Sequence, residues 1–310
     1  MLPRLLLLLC LLPATPGLAT TDAGASPRTS ITIPFLSTRE LRPGADNGSR
    51  FSNDIGDLSA GECEVLLPDE ATSRAVNGQI SSRSADEVLG RFQGLSPGGI
   101  LVYIHGYNIG LARACRDAAR LARVTNHGNR TLLFSWPASE AVLTYPRDER
   151  RFAQSVPQII SSLHELGKRY GYENINIVAH SMGSRVALAM EDPGAGSPPP
   201  REQRFNKLIL VASDIDREAF LRVQAGLKKQ VQQLTLLVSD RDRLLLLSQI
   251  LHLQERLGQA DDLTLDGIEI IDVSTLDDLG MVGHVYHLDS DRVGGLLRDI
   301  LSSDSLPSRP

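Results

Sequence analysis

Ser181 stands between the small residues Ala179 and Gly183, where the apolar run Ile175–Val178 gives way to the helical pattern of residues 184–190. A serine at such a strand-to-helix junction sits on a tight turn that lifts its hydroxyl clear of neighbouring side chains. The free backbone N–H groups of the following helix face wherever negative charge develops. That arrangement suits nucleophilic attack on an acyl carbon, and the rest of the chain must supply a base, an acid and an oxyanion site. A helix-start serine bonding its own backbone would look similar in isolation.

The base for a serine is normally a neutral histidine. Of the seven histidines, His105 and His180 belong to other strand-end motifs, His127 follows a helix, and His164 and His252 fall inside helical patterns. His284 and His287 follow the last strand; His284, in a loop after Gly283, fits the role better. Asp242 and Asp240 both follow the run Leu234–Val238, and Asp214 and Asp216 lie one strand earlier. Asp240 also suits a turn and Asp216 a helix cap. The oxyanion donors are expected to be the backbone N–H groups of Met182 and of Tyr107 in His105-Gly106-Tyr107-Asn108, with Gly106 permitting close approach. His105 itself reads as structural. Trp136 and Tyr145 read equally well as walls of an acyl pocket or as core.

Placing these residues together requires a particular scaffold. Apolar runs at 100–104, 131–134, 174–179, 207–211, 234–238 and 268–271 alternate with helical patterns near 110–125, 156–166, 216–231, 243–258 and 291–302. Strands without a polar face belong to a mainly parallel sheet with helices on both faces. Ligands bind such sheets at the carboxyl ends of the strands, which is where Ser181, Asp242 and His284 fall. Upstream, residues 31–36 and 63–67 read as edge strands and the Gly, Asn and Asp-rich stretch 43–61 as loop. The proline-rich stretch 191–206 is an exposed loop. Neither an internal repeat nor a second domain is visible, so residues 31–302 are read as one α/β domain.

The segments Ile104-His105-Gly106-Tyr107-Asn108, Phe134-Ser135-Trp136-Pro137, Ala179-His180-Ser181-Met182-Gly183 and Val238-Ser239 with Asp242 occur in the chain order Ser, Asp, His. Together with Pro34-Phe35-Leu36-Ser37-Thr38-Arg39, they resemble the α/β-hydrolases. Within that superfamily, residues from about 100 to 290 resemble a bacterial esterase/lipase-like group of unassigned function. The resemblance implies the α/β-hydrolase fold, a serine hydrolase of the carboxylesterase/lipase type, and Asp242 as the acid. Ala179 stands where the usual elbow has its first glycine.

A net charge of −5 without a basic block excludes a nucleic-acid partner. Metal-ligand spacing, a phosphate-cradling loop and a dinucleotide fingerprint are all lacking in the sequence, so no cofactor and no metal are implied. Met1–Ala19 has the order of a signal peptide: a charged start, the leucine-rich run 5–12, and the small residues Gly17 and Ala19 at −3 and −1 of a cleavage after Ala19. Its apolar run is too short to span a bilayer, and no later segment is long enough. The expectation is an exported protein, periplasmic or secreted, with a disordered leader over residues 20–30. Cys63 and Cys115 then form either one disulfide or two buried thiols. The expected substrate is a small-molecule acyl ester, and a soluble one is preferred because no long lid insertion is visible. A lipid- or peptide-binding protein on the same fold, and an acyltransferase using the same residues, are the competing readings.

Overall fold

The computed structural model describes residues 28–45, 50–68, 75–94, 99–141, 144–191, 203–259, 263–280 and 282–303. The expected signal peptide lies outside the described residues, as does the leader up to residue 27. Residues 28–30, read as the end of that leader, instead begin the first strand, because they pair with Pro68, Leu67 and Leu66.

Three strands come first: β1 (Arg28–Leu41), β2 (Phe51–Pro68) and β3 (Val76–Arg83), followed by the short helix α1 (Ala85–Gly90). Alternation then sets in with β4 (Ile100–Ile104), α2 (Leu111–Val124), β5 (Thr131–Ser135), α3 (Tyr145–Tyr170), β6 (Ile175–His180) and α4 (Val186–Met190). The chain continues through β7 (Phe205–Val211), α5 (Arg217–Gln230), β8 (Val231–Val238), α6 (Arg243–His252), β9 (Glu269–Asp272), α7 (Tyr286–Asp289) and α8 (Asp291–Ser302). The nine strands form one sheet in the order β3-β2-β1-β5-β4-β6-β7-β8-β9. All neighbours from β1–β5 onward are parallel, while β1–β2 and β2–β3 are antiparallel. Every residue of β4, β5 and β6 is buried, as strands covered on both faces must be.

Two apolar clusters, one on each face, make the core. One packs α3, α4 and α5 through Ile159, Leu163, Val186 and Phe220; the other packs α2 and α8 through Ala118, Leu121, Leu297 and Ile300. The sheet is the mainly parallel, helix-covered architecture of an α/β-hydrolase.

The amino-terminal third departs from the sequence expectation. Residues 31–36 and 63–67 are interior strands, since β1 pairs with both β2 and β5, and β2 with both β1 and β3. Phe35 and Leu36 are both fully buried, one in each cluster. The stretch from Phe51 to Gly61 is strand, not loop: long antiparallel pairing with β1 overrides its turn-rich composition. A capping box at Ser84 and Glu87 starts α1, which the apolar pattern had not revealed. Cys63 on β2 and Cys115 on α2 form a disulfide that pins the helix to the hairpin. At the other end of the chain, α6 stops at His252 rather than residue 258, and Leu253 turns the chain in a left-handed conformation (φ 55°).

Candidate active site

The turn after β6 is built on one strained residue. Ser181 has φ 54°, a region L-residues rarely occupy. Its carbonyl accepts from the N–H of Asp214 (3.2 Å), which ties the turn to the end of β7. A methyl on Gly183 would lie 2.6 Å from the carbonyl oxygen of His105 and 2.7 Å from that of Ile104, so the turn can press against β4 only with glycine there. Gly106 is likewise bare against Ser181, where a Cβ would come within 2.8 Å of the serine Cβ. Ala179 lies within β6, paired with Ile104, and its methyl is accommodated in the core.

His284 Nε2 lies 2.9 Å from Ser181 Oγ, and His284 Nδ1 lies 2.7 Å from Asp242 Oδ2. With the carboxylate accepting from Nδ1–H, Nε2 is left to accept from the serine hydroxyl. The other carboxylate oxygen of Asp242 accepts the N–H groups of Leu244 and Leu245, both at 3.0 Å, and so caps α6. All three side chains are buried, and Ser181 and His284 reach the floor of an open cleft of about 240 Å³.

The structure places the alternatives elsewhere. His287 is fully buried with Nε2 3.3 Å from Tyr103 Oη, and burial next to His284 pushes its pKa down to about 3. Asp240 is exposed, at a turn where its N–H donates to Ser274 Oγ. Asp214 accepts from the hydroxyls of Tyr145 and Ser248, and Asp216 caps α5 through the N–H of Ala219. Met182 opens the turn after the serine with its side chain in the core. Tyr107 lies in the loop after β4, packed edge-to-face on Tyr145.

Trp136 is not a pocket wall. It is fully buried, stacks on His105, meets Phe152 edge-on and donates from Nε1 to the His105 carbonyl (2.7 Å). An indole finds its partner here inside the protein, which removes it from the cleft. Tyr145 does line the cleft. Its hydroxyl accepts from Arg185 (3.0 Å), and burial together with Asp214 raises its pKa.

Two supporting residues, Arg39 and His180, escaped the sequence reading, whereas His105 has the structural role expected of it. Arg39, fully buried on β1, donates to Ser135 Oγ (2.9 Å), to Asn53, and to the carbonyl of Ile109 (2.8 Å) at the end of the loop that carries Tyr107. Burial lowers its pKa to about 9. His105 lies in the same network: Nδ1–H donates to the Gly106 carbonyl, Nε2 accepts from Ser135, and burial with Arg39 nearby lowers its pKa to about 3. His180 donates from Nε2 to the backbone carbonyl of His284 (3.0 Å), bracing the loop of the base. Burial holds His180 neutral, with His287 and His284 adding to the shift. Arg39 and His180 each stood in a segment that carried the resemblance, 34–39 and 179–183, but nothing local showed their bracing role.

Residues 81–300 match the family described as alpha/beta hydrolase of unknown function (DUF900). The chain belongs to that family. No curated protein matches this α/β-hydrolase. Among solved structures it is similar to the esterase domain of a Rhodothermus marinus protein, at 13% identity over 88% of this chain and 96% of that one, with a TM-score of 0.37. It is also similar to the S-formylglutathione hydrolase FrmB of Staphylococcus aureus, at 11% identity over 90% of this chain and 100% of that one, with a TM-score of 0.40. Likenesses this distant say nothing of the substrate. Among the described residues, this α/β-hydrolase has no helix long and apolar enough to cross a membrane and no cluster of metal-ligating side chains.

Proposed function

We propose that this α/β-hydrolase is an exported serine hydrolase that cleaves a carboxylic ester through an acyl-enzyme. The observation that carries this reading is the unbroken hydrogen-bond chain from Asp242 through His284 to Ser181. Ser181 Oγ attacks the ester carbonyl while its proton passes to His284 Nε2. Asp242 stabilises the resulting imidazolium and keeps the ring oriented, and itself takes no proton. The backbone N–H groups of Met182 and Tyr107 are assigned to the oxygen of the tetrahedral intermediate, each worth about 3 kcal/mol of barrier height. His284 then gives its proton to the departing alcohol. Water, activated by the same histidine, releases the carboxylic acid and restores the serine.

Export is supported by the Cys63–Cys115 disulfide, since such bonds persist in oxidising compartments, and by the order of residues 1–19. The test is labelling by a fluorophosphonate together with hydrolysis of p-nitrophenyl acetate. Wild type is expected to react with both, Ser181→Ala with neither, and His284→Gln far more slowly with both. Equal labelling of wild type and Ser181→Ala, or labelling of neither, overturns the proposal.

A further inference from the structure

Helix α6 is apolar on nearly every side, yet only Leu245 and Ser248 of its ten residues are buried. Ser248 fastens it to the body through Asp214. Leu244, Leu247 and Leu251 stand 46%, 41% and 61% exposed. Spaced i, i+3 and i+7, they form a single row along the helix, and all three also line the cleft above Ser181 and His284. Ile109 and Val282 continue the same apolar lining. Water-exposed leucines in a contiguous row mark a surface that is covered in use.

The position of this row limits what covers it. It begins at Leu244, whose N–H bonds the same aspartate that orients His284, and it runs along the cleft that Ser181 and His284 also line. A chain seated along it lies beside the carbon that Ser181 attacks, and of the two groups an ester carries there only the acyl chain stays joined to that carbon through both acylation and deacylation. From Leu244 to Leu251 the helix rises about 10 Å, the reach of a medium-length alkyl chain.

We infer that the row Leu244, Leu247 and Leu251 is the acyl-chain subsite, and that the substrates are esters of medium-chain unbranched fatty acids. This inference rests on the serine-hydrolase reading above. The reaction is RCO–OR′ + H₂O → RCOOH + R′OH, with the R chain along α6 and the carbonyl carbon at Ser181 Oγ. It revises the preference for a small soluble ester, which had been drawn from the absence of a lid. The apolar platform sits instead on α6, which the sequence pattern had read only as a helix.

The test compares kcat/KM for p-nitrophenyl acetate, butyrate, octanoate and palmitate below their aggregation limits. Each methylene laid against the row should add up to roughly fourfold, less where the chain stays half-open to water. Octanoate should therefore exceed butyrate by at least about tenfold. In the double variant Leu247→Ser/Leu251→Ser the octanoate-to-acetate ratio should fall by at least about tenfold. In the double variant Leu246→Ser/Ile250→Ser, on exposed positions outside the cleft lining, the ratio should hold. Labelling rates with methyl- and octyl-phosphonate p-nitrophenyl esters give a second readout, and wild type should favour octyl. Equal rates with the two phosphonates, a flat ester profile, or the same loss of ratio in both double variants overturns the inference and leaves the serine hydrolase standing. Absence of turnover and of labelling by either phosphonate overturns both.

Discussion

Replacing Asp242 by asparagine separates two jobs that one carboxylate performs. Its Oδ2 takes His284 Nδ1–H at 2.7 Å, and its Oδ1 takes two N–H groups of α6 at 3.0 Å. An asparagine has a single oxygen to offer. If that oxygen keeps the cap, a role asparagine fills as well as aspartate, the amide NH₂ faces His284 Nδ1. The imidazole must then move its proton to Nε2, which can no longer accept from Ser181 Oγ. The wrong tautomer costs on the order of 10⁴ in kcat, with stability almost unchanged. If the oxygen turns to His284 instead, the NH₂ confronts the N–H groups of Leu244 and Leu245. The tautomer survives, but the cap is lost at a cost of about 1–2 kcal/mol, which in a domain of this size lowers the melting midpoint by a few degrees. The first arrangement should prevail, because the cap holds two N–H groups against one for the ring. The expected result is an unchanged thermal midpoint with turnover of p-nitrophenyl octanoate down by about 10³–10⁴. Asp242→Ala should lose both activity and about 1 kcal/mol or more of stability. An Asp242→Asn enzyme within tenfold of wild type and of unchanged midpoint refutes the reasoning, since no placement of one oxygen satisfies both partners.

Other expectations follow from the same geometry. Arg39→Lys should not rescue Arg39→Met, because an ammonium cannot reach Ile109, Ser135 and Asn53 as a planar fork does; both should lose at least about 2 kcal/mol by thermal unfolding, and retention by the lysine variant counts against the network. The Cys63–Cys115 bridge closes a span of 52 residues, worth about 4 kcal/mol of chain entropy; the Cys63→Ser/Cys115→Ser protein should therefore melt on the order of ten degrees lower, and an unchanged midpoint contradicts this. His105 and His287 have folded pKa values of about 3 against an ordinary 6.5, so the unfolded chain binds their protons first as pH falls below 6.5. At pH 5 each should cost about 2 kcal/mol relative to neutrality, while burial of Asp117, which raises its pKa to about 6, gives back about 1 kcal/mol. The thermal midpoint should accordingly fall between pH 7 and pH 5, and a constant or rising midpoint refutes the assignment of neutral buried imidazoles.

The carboxyl-terminal two-thirds of the fold was legible because its strands are apolar at every position and alternate with helical stripes, and both features survive in local sequence. The amino-terminal hairpin was not. Residues 51–61 carry the glycine, asparagine and aspartate of a loop, and their strand state comes from pairing with β1, which no local window contains. Ser181, Asp242 and His284 could be nominated because each follows a strand in the expected chain order. Trp136 could not be assigned, because whether an indole faces a cleft or the core depends on the imidazole beneath it. The bracing by Arg39 and His180 was equally hidden. A buried guanidinium reaching a loop carbonyl 70 residues away leaves no local trace, even where the residue itself stands in a recognisable segment.

The disulfide also bears on the order in which the molecule assembles. Strand β1 finds its parallel partner in β5, with Phe35 opposite Leu133, nearly a hundred residues later in the chain. Closing so long a loop is slow, and until it closes one side of β1 is an open edge that invites mispairing. Cys115 emerges before Thr131, and α2 already packs against both β1 and β5 in the finished sheet. A bridge formed at that moment would hold the hairpin beside the place where β5 arrives and shorten the search for the last register. Refolding of the reduced chain should then be slower than that of the oxidised chain, and should yield more aggregate at the same concentration.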